Sequence, residues 1–261
     1  MKKIAAFLFC WAINAAALEP SLLDQGYRQM YNLQFAQAHQ TFTAYSLRNS
    51  ADPMGPVSDA AAWLFSEFDR LHILQSEFWI EDQSLFDFHK LAADPVVKKR
   101  FEAALSKTQL LADAELRKSP DNANAQLASA LRLGLRADYT ALIEKRGLAA
   151  LADVKQSRQI AEKLLAKHPD YYDAWIAVGL ENYLLSLKPA PLRWFLHLGG
   201  AQTDKSTGLD RLRPTAEKGH YLLPYARLLL AIADLRDHAP LRAKEKLQWL
   251  AKEFPGNPLY R

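Results

Sequence analysis

The chain has 261 residues, of which 49% are hydrophobic and 11% aromatic, so it can bury a substantial core and is not an intrinsically disordered protein. Its formal net charge is +4, but the basic residues are scattered among nearly as many acidic ones, without a long block of either sign. Because nucleic-acid binding needs a concentrated basic surface, this charge pattern argues against a nucleic-acid partner.

The N-terminus predicts a secretory signal peptide over residues 1–17. Two lysines precede an apolar run over residues 4–13, and Ala15 and Ala17 stand at the small-residue positions before a cleavage site. The alternative is a retained membrane anchor, but the apolar run is shorter than the roughly 20 residues that span a bilayer. We therefore expect a periplasmic or otherwise exported protein, with no stable membrane insertion after cleavage.

Cleavage at this position removes Cys10, which is the only cysteine of the sequence. The mature chain then has no thiol, which excludes disulfide bonds, cysteine nucleophiles and thiolate metal sites. A chain without thiols also suits an oxidising compartment such as the periplasm.

Residues 18–261 predict a single domain that is almost entirely helical. Apolar residues recur at helical spacing from Ser21 onwards, and no alternating run predicts a strand. Prolines and glycines interrupt the pattern at regular places, because their backbones end helices there. These breaks fall at residues 49–56, 94–95, 119–120, 168–169, 189–191, 199–208 and 255–258.

The breaks divide the domain into about five helical hairpins, of which the second and the fourth are irregular. The predicted hairpins cover residues 18–50, 56–118, 120–168, 169–218 and 219–255. In the second hairpin we expect a long helix that reaches about Phe78, an insertion over residues 80–89, and a return helix from Val96. The third should contain a longer or interrupted helix near residues 138–147, and the fourth a short apolar helix over residues 192–198.

The stretch that begins at Pro169 carries the clearest repeat pattern. Trp175 and Gly179 follow Pro169 by 6 and 10 residues, so that a large side chain fills the space between two helices and a glycine lets them approach. Residues 26–45 and 231–255 share another set of intervals, since Gly26 and Ala231 are each followed by small or large apolar residues at steps of 12, 4 and 3. The pattern resembles the tetratricopeptide repeat, whose period is about 34 residues. The resemblance implies an all-α fold in which antiparallel hairpins stack into a right-handed superhelix with a concave inner face.

Divergent repeat proteins of this kind in bacterial envelopes are usually scaffolds or adaptors. The resemblance therefore implies a non-enzymatic, exported protein that binds a protein or peptide partner in the cell envelope. One alternative is an envelope enzyme or a small-ligand-binding protein on a helical-repeat scaffold. Another is a structural subunit of a secretion or outer-membrane assembly.

Two surfaces are candidates for the partner site. The first is the inner face of the leading helices of the hairpins, where Met30 and Asp138 also lie, and the second is the aromatic insertion of the second hairpin. An exposed aromatic side chain is the usual centre of a binding surface, so the aromatic residues of the insertion should be exposed. The candidate residues are Tyr27, Tyr31, Tyr139, Asp173, Leu180 and Tyr183 on the inner face, and Trp79 and Phe86 in the insertion.

No motif predicts a catalytic site, a cofactor or a metal. Residues 199–206 resemble a phosphate-binding P-loop, but Asp204 occupies the second required glycine, so we expect a loop in which Ser206 or Thr207 caps the next helix. No two of the seven histidines lie close enough on one helix to form a zinc pair. Glu67 and Arg70 are spaced as an ordinary i,i+3 ion pair.

Overall fold

The computed structural model describes residues 21–80, 89–186 and 204–261, and every regular element in these ranges is a helix. The prediction of an all-α fold is confirmed. The α-helices are α1 (Leu22–Tyr31), α2 (Phe35–Arg48), α3 (Met54–Arg70), α4 (Ser76–Ile80), α5 (Pro95–Lys118), α6 (Ala123–Asp138), α7 (Gly147–Lys167), α8 (Trp175–Ser186), α9 (Lys205–Lys218), α10 (Leu223–Arg236) and α11 (Pro240–Glu253). Short 3-10 turns cover Tyr172–Ala174 and Pro258–Tyr260.

Polar side chains set where several of these helices begin. The Ser21 hydroxyl accepts a hydrogen bond from the backbone N–H of Asp24, and the Asp24 carboxylate accepts one from the backbone N–H of Ser21, which forms a capping box at α1. Asp94 caps α5 and Asn122 caps α6 in the same way, each satisfying N–H groups that have no partner inside the helix.

Two helix boundaries differ from the prediction. Helix α3 ends at Arg70 instead of near Phe78, because the chain leaves helical geometry and His72 adopts a φ of 59°. The N-cap of α9 is Asp204 and neither Ser206 nor Thr207, because the Asp204 carboxylate accepts a hydrogen bond from the backbone N–H of Thr207 at 2.6 Å. The apolar helix predicted over residues 192–198 lies outside the described residues.

The interruption predicted near residues 138–147 is a π-helical turn. Helix α6 ends at Asp138, the π-helical turn covers Tyr139–Ile143, and α7 begins at Gly147. The extra residue of a π-turn changes the direction in which the following side chains point, and such turns occur frequently at functional sites.

Each long helix packs against the next one along the chain, so that consecutive helices fold back on each other as hairpins. Helices α8 and α9 approach each other closely. A Cβ atom at Gly179 would lie 2.8 Å from the carbonyl oxygen of Gly208 and 2.9 Å from the backbone nitrogen of Leu212. The predicted role of Gly179, to let two helices approach, is confirmed.

The first helix also packs against the last hairpin, so that the two ends of the described chain meet. The Tyr31 hydroxyl donates a hydrogen bond to the Tyr221 carbonyl, and the side-chain amide of Asn257 donates one to the Tyr31 carbonyl, both at 3.0 Å. The rings of Tyr27 and Tyr221 stack with their centroids 4.9 Å apart. This closure turns the inner faces of the hairpins towards a common centre.

The core follows from this closure. A large hydrophobic cluster joins α1, α2 and α3 to α6 and to the later helices, and a smaller one lies between α3, α4, α5 and the π-helical turn. Among residues 21–80, 89–186 and 204–261, no helix combines the length and the apolar character needed to cross a membrane.

Candidate functional site

The inner faces of α1, α3, α6, α8 and α10 surround a cavity at the centre of the helices. Its volume is about 70 Å³. The wall is mostly apolar, and each helix contributes to it, with Met30, Phe65, Leu135, Asp138, Leu180 and Tyr225 among the lining residues. Sites for small molecules are typically concave and mostly apolar with few polar groups, and this cavity has that character.

One carboxyl group, that of Asp138 at the C-terminal end of α6, is part of the described wall. Asp138 is half-buried, and its carboxyl makes no hydrogen bond or ion pair with any residue that the structure describes. Burial alone raises its pKa from 3.8 to about 7, because the apolar surroundings disfavour the charged form.

The other titratable groups of the wall are the phenols of Tyr27, Tyr31 and Tyr225. Burial raises the pKa of each of them above its usual value, so all three are neutral at physiological pH. Tyr225 lies near enough to Asp138 for the aspartate charge to raise its pKa further. Among the described lining residues there is no lysine, arginine or histidine, so none of them provides a countercharge for the Asp138 carboxylate.

Three of the predicted partner-binding residues line this cavity: Tyr27, Tyr31 and Leu180. Tyr27 and Tyr31 are each only 4% exposed, because α1 packs against the last hairpin. The open inner surface that the sequence led us to expect is therefore closed in this structure. Contact of these residues with a partner stays a prediction.

Two further predicted residues are buried away from the cavity. The ring of Tyr139 stacks on Phe101 with the centroids 5.2 Å apart, and Tyr183 has no exposed surface. Tyr183 lies on α8 beside Gly208, where the backbones of α8 and α9 approach most closely.

The predicted residue Asp173 is buried and holds the segment that precedes α10. Its carboxylate accepts hydrogen bonds from the backbone N–H groups of His220, Tyr221 and Leu222 at 2.9, 2.9 and 3.1 Å. Burial raises its pKa, although these three hydrogen bonds act in the opposite direction. The carboxylate thus connects the fourth hairpin to the fifth.

The prediction that Trp79 is exposed is wrong, since only 7% of this residue is exposed. The turn after α3 folds α4 back, and the indole N–H of Trp79 donates a hydrogen bond to the carbonyl of Ile73 at 2.7 Å. Arg236 of α10 donates a hydrogen bond to the Trp79 carbonyl at 2.6 Å. Phe86, the other candidate anchor, lies outside the described residues.

The ion pair between Glu67 and Arg70 helps to hold the fold together. Glu67 is 1% exposed, and its carboxylate accepts two hydrogen bonds from Arg70, at 2.6 and 2.9 Å, and one from the backbone N–H of Asp94 at 2.7 Å. The predicted i,i+3 pair is confirmed. In the described part of the chain, no three His, Cys, Asp or Glu side chains are grouped so that they could hold a metal ion.

A second depression lies on the outer side of the helices, between α5, α6 and α7. Its volume is about 330 Å³, and its wall is more polar, with Gln109, Asp113, Arg132 and Lys163 among the lining residues. Arg132 is half-buried and makes no hydrogen bond to the described part of the chain; burial lowers its pKa.

Comparison of the chain with models of known protein families gives no match, and comparison with functionally characterised proteins gives no significant match either. The proposals below therefore depend on the geometry of the two sites.

Proposed function

We propose that this chain is a non-enzymatic binding protein whose central cavity takes a small molecule with an apolar body and one polar group. The observation that carries the proposal is the apolar cavity itself, which contains a single carboxyl among the described wall residues. Protein interiors are normally packed as densely as organic crystals, so an unfilled apolar space lowers stability and a bound molecule offsets this loss.

The groups in the wall suit binding better than catalysis. Ser157 is the one aliphatic hydroxyl among the described lining residues, and it donates a hydrogen bond to the carbonyl of Ala130 at 2.8 Å. It is therefore not paired with a general base, as a serine nucleophile needs to be. The apolar wall and the Asp138 carboxyl can select a ligand by its shape and its polarity, which is what a binding site has to do.

We also propose that the hairpins form a superhelix like that of the tetratricopeptide repeat, closed by the packing of α1 on the last hairpin. The five predicted hairpins and the close helix approach at Gly179 support this arrangement. The signal peptide proposed for residues 1–17 would place the binding protein in the periplasm.

The substitution Ala177→Leu tests the cavity as a binding site. Ala177 is half-buried on α8, and its methyl group lines the cavity, so a larger side chain there takes up ligand space. We expect the fluorescence of the neutral dye N-phenyl-1-naphthylamine to rise on addition of the wild type, and the affinity of the variant for the dye to be at least about tenfold weaker.

The matched control is Ala103→Leu, at an exposed position of α5, which should bind the dye as the wild type does. Circular dichroism and thermal melting establish that both variants are folded. Equal dye binding by the wild type and Ala177→Leu would mean that the central cavity is not the site.

A second candidate function is the capture of a protein or peptide partner in the outer depression. The observation that favours it is Arg132, a half-buried cation without a hydrogen bond to the described chain, in a wall that also carries Lys163 and several amide side chains. Such a surface suits an acidic segment of a partner, because arginine binds carboxylates through two parallel hydrogen bonds.

The substitution Arg132→Ala tests this second function. We expect immobilised wild-type protein to recover a partner from an envelope extract, and Arg132→Ala to recover it at least about fivefold less, because the partner carboxylate loses its charged hydrogen bonds. Arg100→Ala, at an exposed position of α5, is the control. Equal recovery by all three proteins would reject the outer depression as the partner site.

A further inference from the structure

We propose that the molecule bound in the central cavity carries a protonated amine, which pairs with the carboxylate of Asp138. This inference rests on the proposed function, namely that the cavity is a ligand site. It names the chemical class of the ligand: an aliphatic or aromatic amine whose apolar body fills the space between the helices.

The Asp138 carboxylate has no partner among the residues that the structure describes. It makes no hydrogen bond to any residue in the described ranges, and none of the described lining residues is a cation. Buried carboxylates in proteins are normally paired or hydrogen-bonded, because an unpaired buried charge is strongly destabilising. A ligand ammonium group would supply the missing countercharge.

Anionic and neutral ligands suit the Asp138 carboxylate less well than a cationic ligand does. An ionised carboxylate only accepts hydrogen bonds, so an anionic ligand would be repelled and its charge would remain unpaired. A neutral alcohol can donate one hydrogen bond, but it does not neutralise the charge. An ammonium group donates up to three hydrogen bonds and neutralises the charge in a site of low dielectric constant, where charged hydrogen bonds are strong.

The surroundings of Asp138 leave it as the one group of the described wall that titrates near neutral pH. Helix α1 contributes Tyr27 and Tyr31 to the cavity, and α10 contributes Tyr225, all three with raised pKa values. The parts of α3, α7 and α8 in the described wall contribute no titratable group. Amine binding should therefore follow the ionisation of Asp138.

The sign of the pH dependence follows from the two pKa values. The pKa of Asp138 is about 7, whereas an alkylamine, like a lysine side chain, has a pKa of about 10.4. Below pH 7 the carboxyl is protonated and must release its proton before it pairs with the ammonium group. The affinity for an amine should therefore increase from pH 5.5 to pH 8, and by at least about tenfold.

The experiment compares three probes of equal chain length, octylamine, 1-octanol and octanoate, by isothermal titration calorimetry at pH 5.5 and pH 8. For the wild type at pH 8 we expect octylamine to bind at least about tenfold more tightly than 1-octanol, and octanoate to bind most weakly. For Asp138→Asn we expect octylamine to bind no more tightly than 1-octanol at both pH values, because the amide supplies no negative charge to pair with the buried ammonium group.

The control Asp170→Asn removes an exposed carboxyl and should bind all three probes as the wild type does. If octylamine and 1-octanol bind the wild type equally, the pairing with an amine is rejected while the cavity remains a ligand site. If octylamine keeps its advantage in Asp138→Asn, the amine lies elsewhere and the inference is rejected. If no probe binds, the proposed function and this inference are both rejected.

Discussion

Asp138→Asn is expected to raise the free energy of unfolding by up to about 4 kcal/mol at pH 8, but by only about 1.5 kcal/mol at pH 5. The pKa of Asp138 is raised from 3.8 to about 7 by burial, so the folded protein binds this proton more tightly than the unfolded chain does. Each unit of pKa difference corresponds to about 1.4 kcal/mol. Urea unfolding curves of both proteins at the two pH values measure the effect.

The direction of the change in stability with pH follows from proton linkage. Between about pH 4 and pH 7 the folded state holds the proton that the unfolded state has released, so the stability of the wild type falls as the pH rises through this window. Above pH 7 both states are ionised and the full penalty is present. The asparagine side chain has a similar shape and no charge, so it removes the penalty, and the figure is an upper value because Asp138 keeps some contact with water in the cavity.

The control Asp170→Asn should change stability by less than about 0.5 kcal/mol at either pH, because this carboxyl is exposed. A gain for Asp138→Asn that is the same at pH 5 and pH 8 would contradict the explanation, since it would not arise from the charge. A loss at both values would mean that the carboxyl has a structural partner.

The cost of Asp138 to the fold also bears on its function. We expect asparagine at this position to make the protein more stable, because the Asp138 carboxyl makes no described contact that requires a charge. Residues that lower stability yet point into a cavity are those that binding sites commonly need. The charge that destabilises the free protein becomes favourable once an ammonium group pairs with it. The free energy of unfolding should therefore increase with the concentration of the ligand.

The helices were predictable because their signals are local. The start of α5 is marked by Asp94 and Pro95, which lie next to each other in the sequence. The close approach of α8 to α9 is marked by Gly179, four residues after Trp175. The boundary near Phe78 was wrong because the left-handed backbone at His72 has no decisive local signal: histidine adopts this conformation more often than most non-glycine residues, but still in only a small fraction of cases.

The site was only partly predictable, because closure is a property of the whole chain. The packing of Tyr27 on Tyr221 depends on the relative orientations of all the helices between them, and no short stretch of sequence determines these orientations. Closure is what changed the inner face from an open surface into a cavity wall. Asp138 could be placed on that face from its spacing, but its lack of a partner depends on residues from several distant helices.

Gly179→Ala is expected to lower the free energy of unfolding by about 3 kcal/mol, the largest loss that we predict for a single methyl group. An added Cβ would lie 2.8 Å from the Gly208 carbonyl oxygen and 2.9 Å from the Leu212 backbone nitrogen, and neither can move without shifting α9. Separating two packed helices to accommodate it costs more than the gain of about 1 kcal/mol that alanine brings to a helix interior. Urea unfolding followed by circular dichroism measures the loss.

The matched control is the same substitution at Gly134, in the interior of α6, where the nearest atom to an added Cβ is the Ser157 hydroxyl oxygen at 3.8 Å. With space available, Gly134→Ala should stabilise the protein by about 0.5–1 kcal/mol through helix propensity alone. The two variants thus differ only in the distance between helices, and their effects should have opposite signs. If both stabilise, α8 and α9 do not pack at the observed distance, and the closed ring of helices that forms the cavity would have to open at that point.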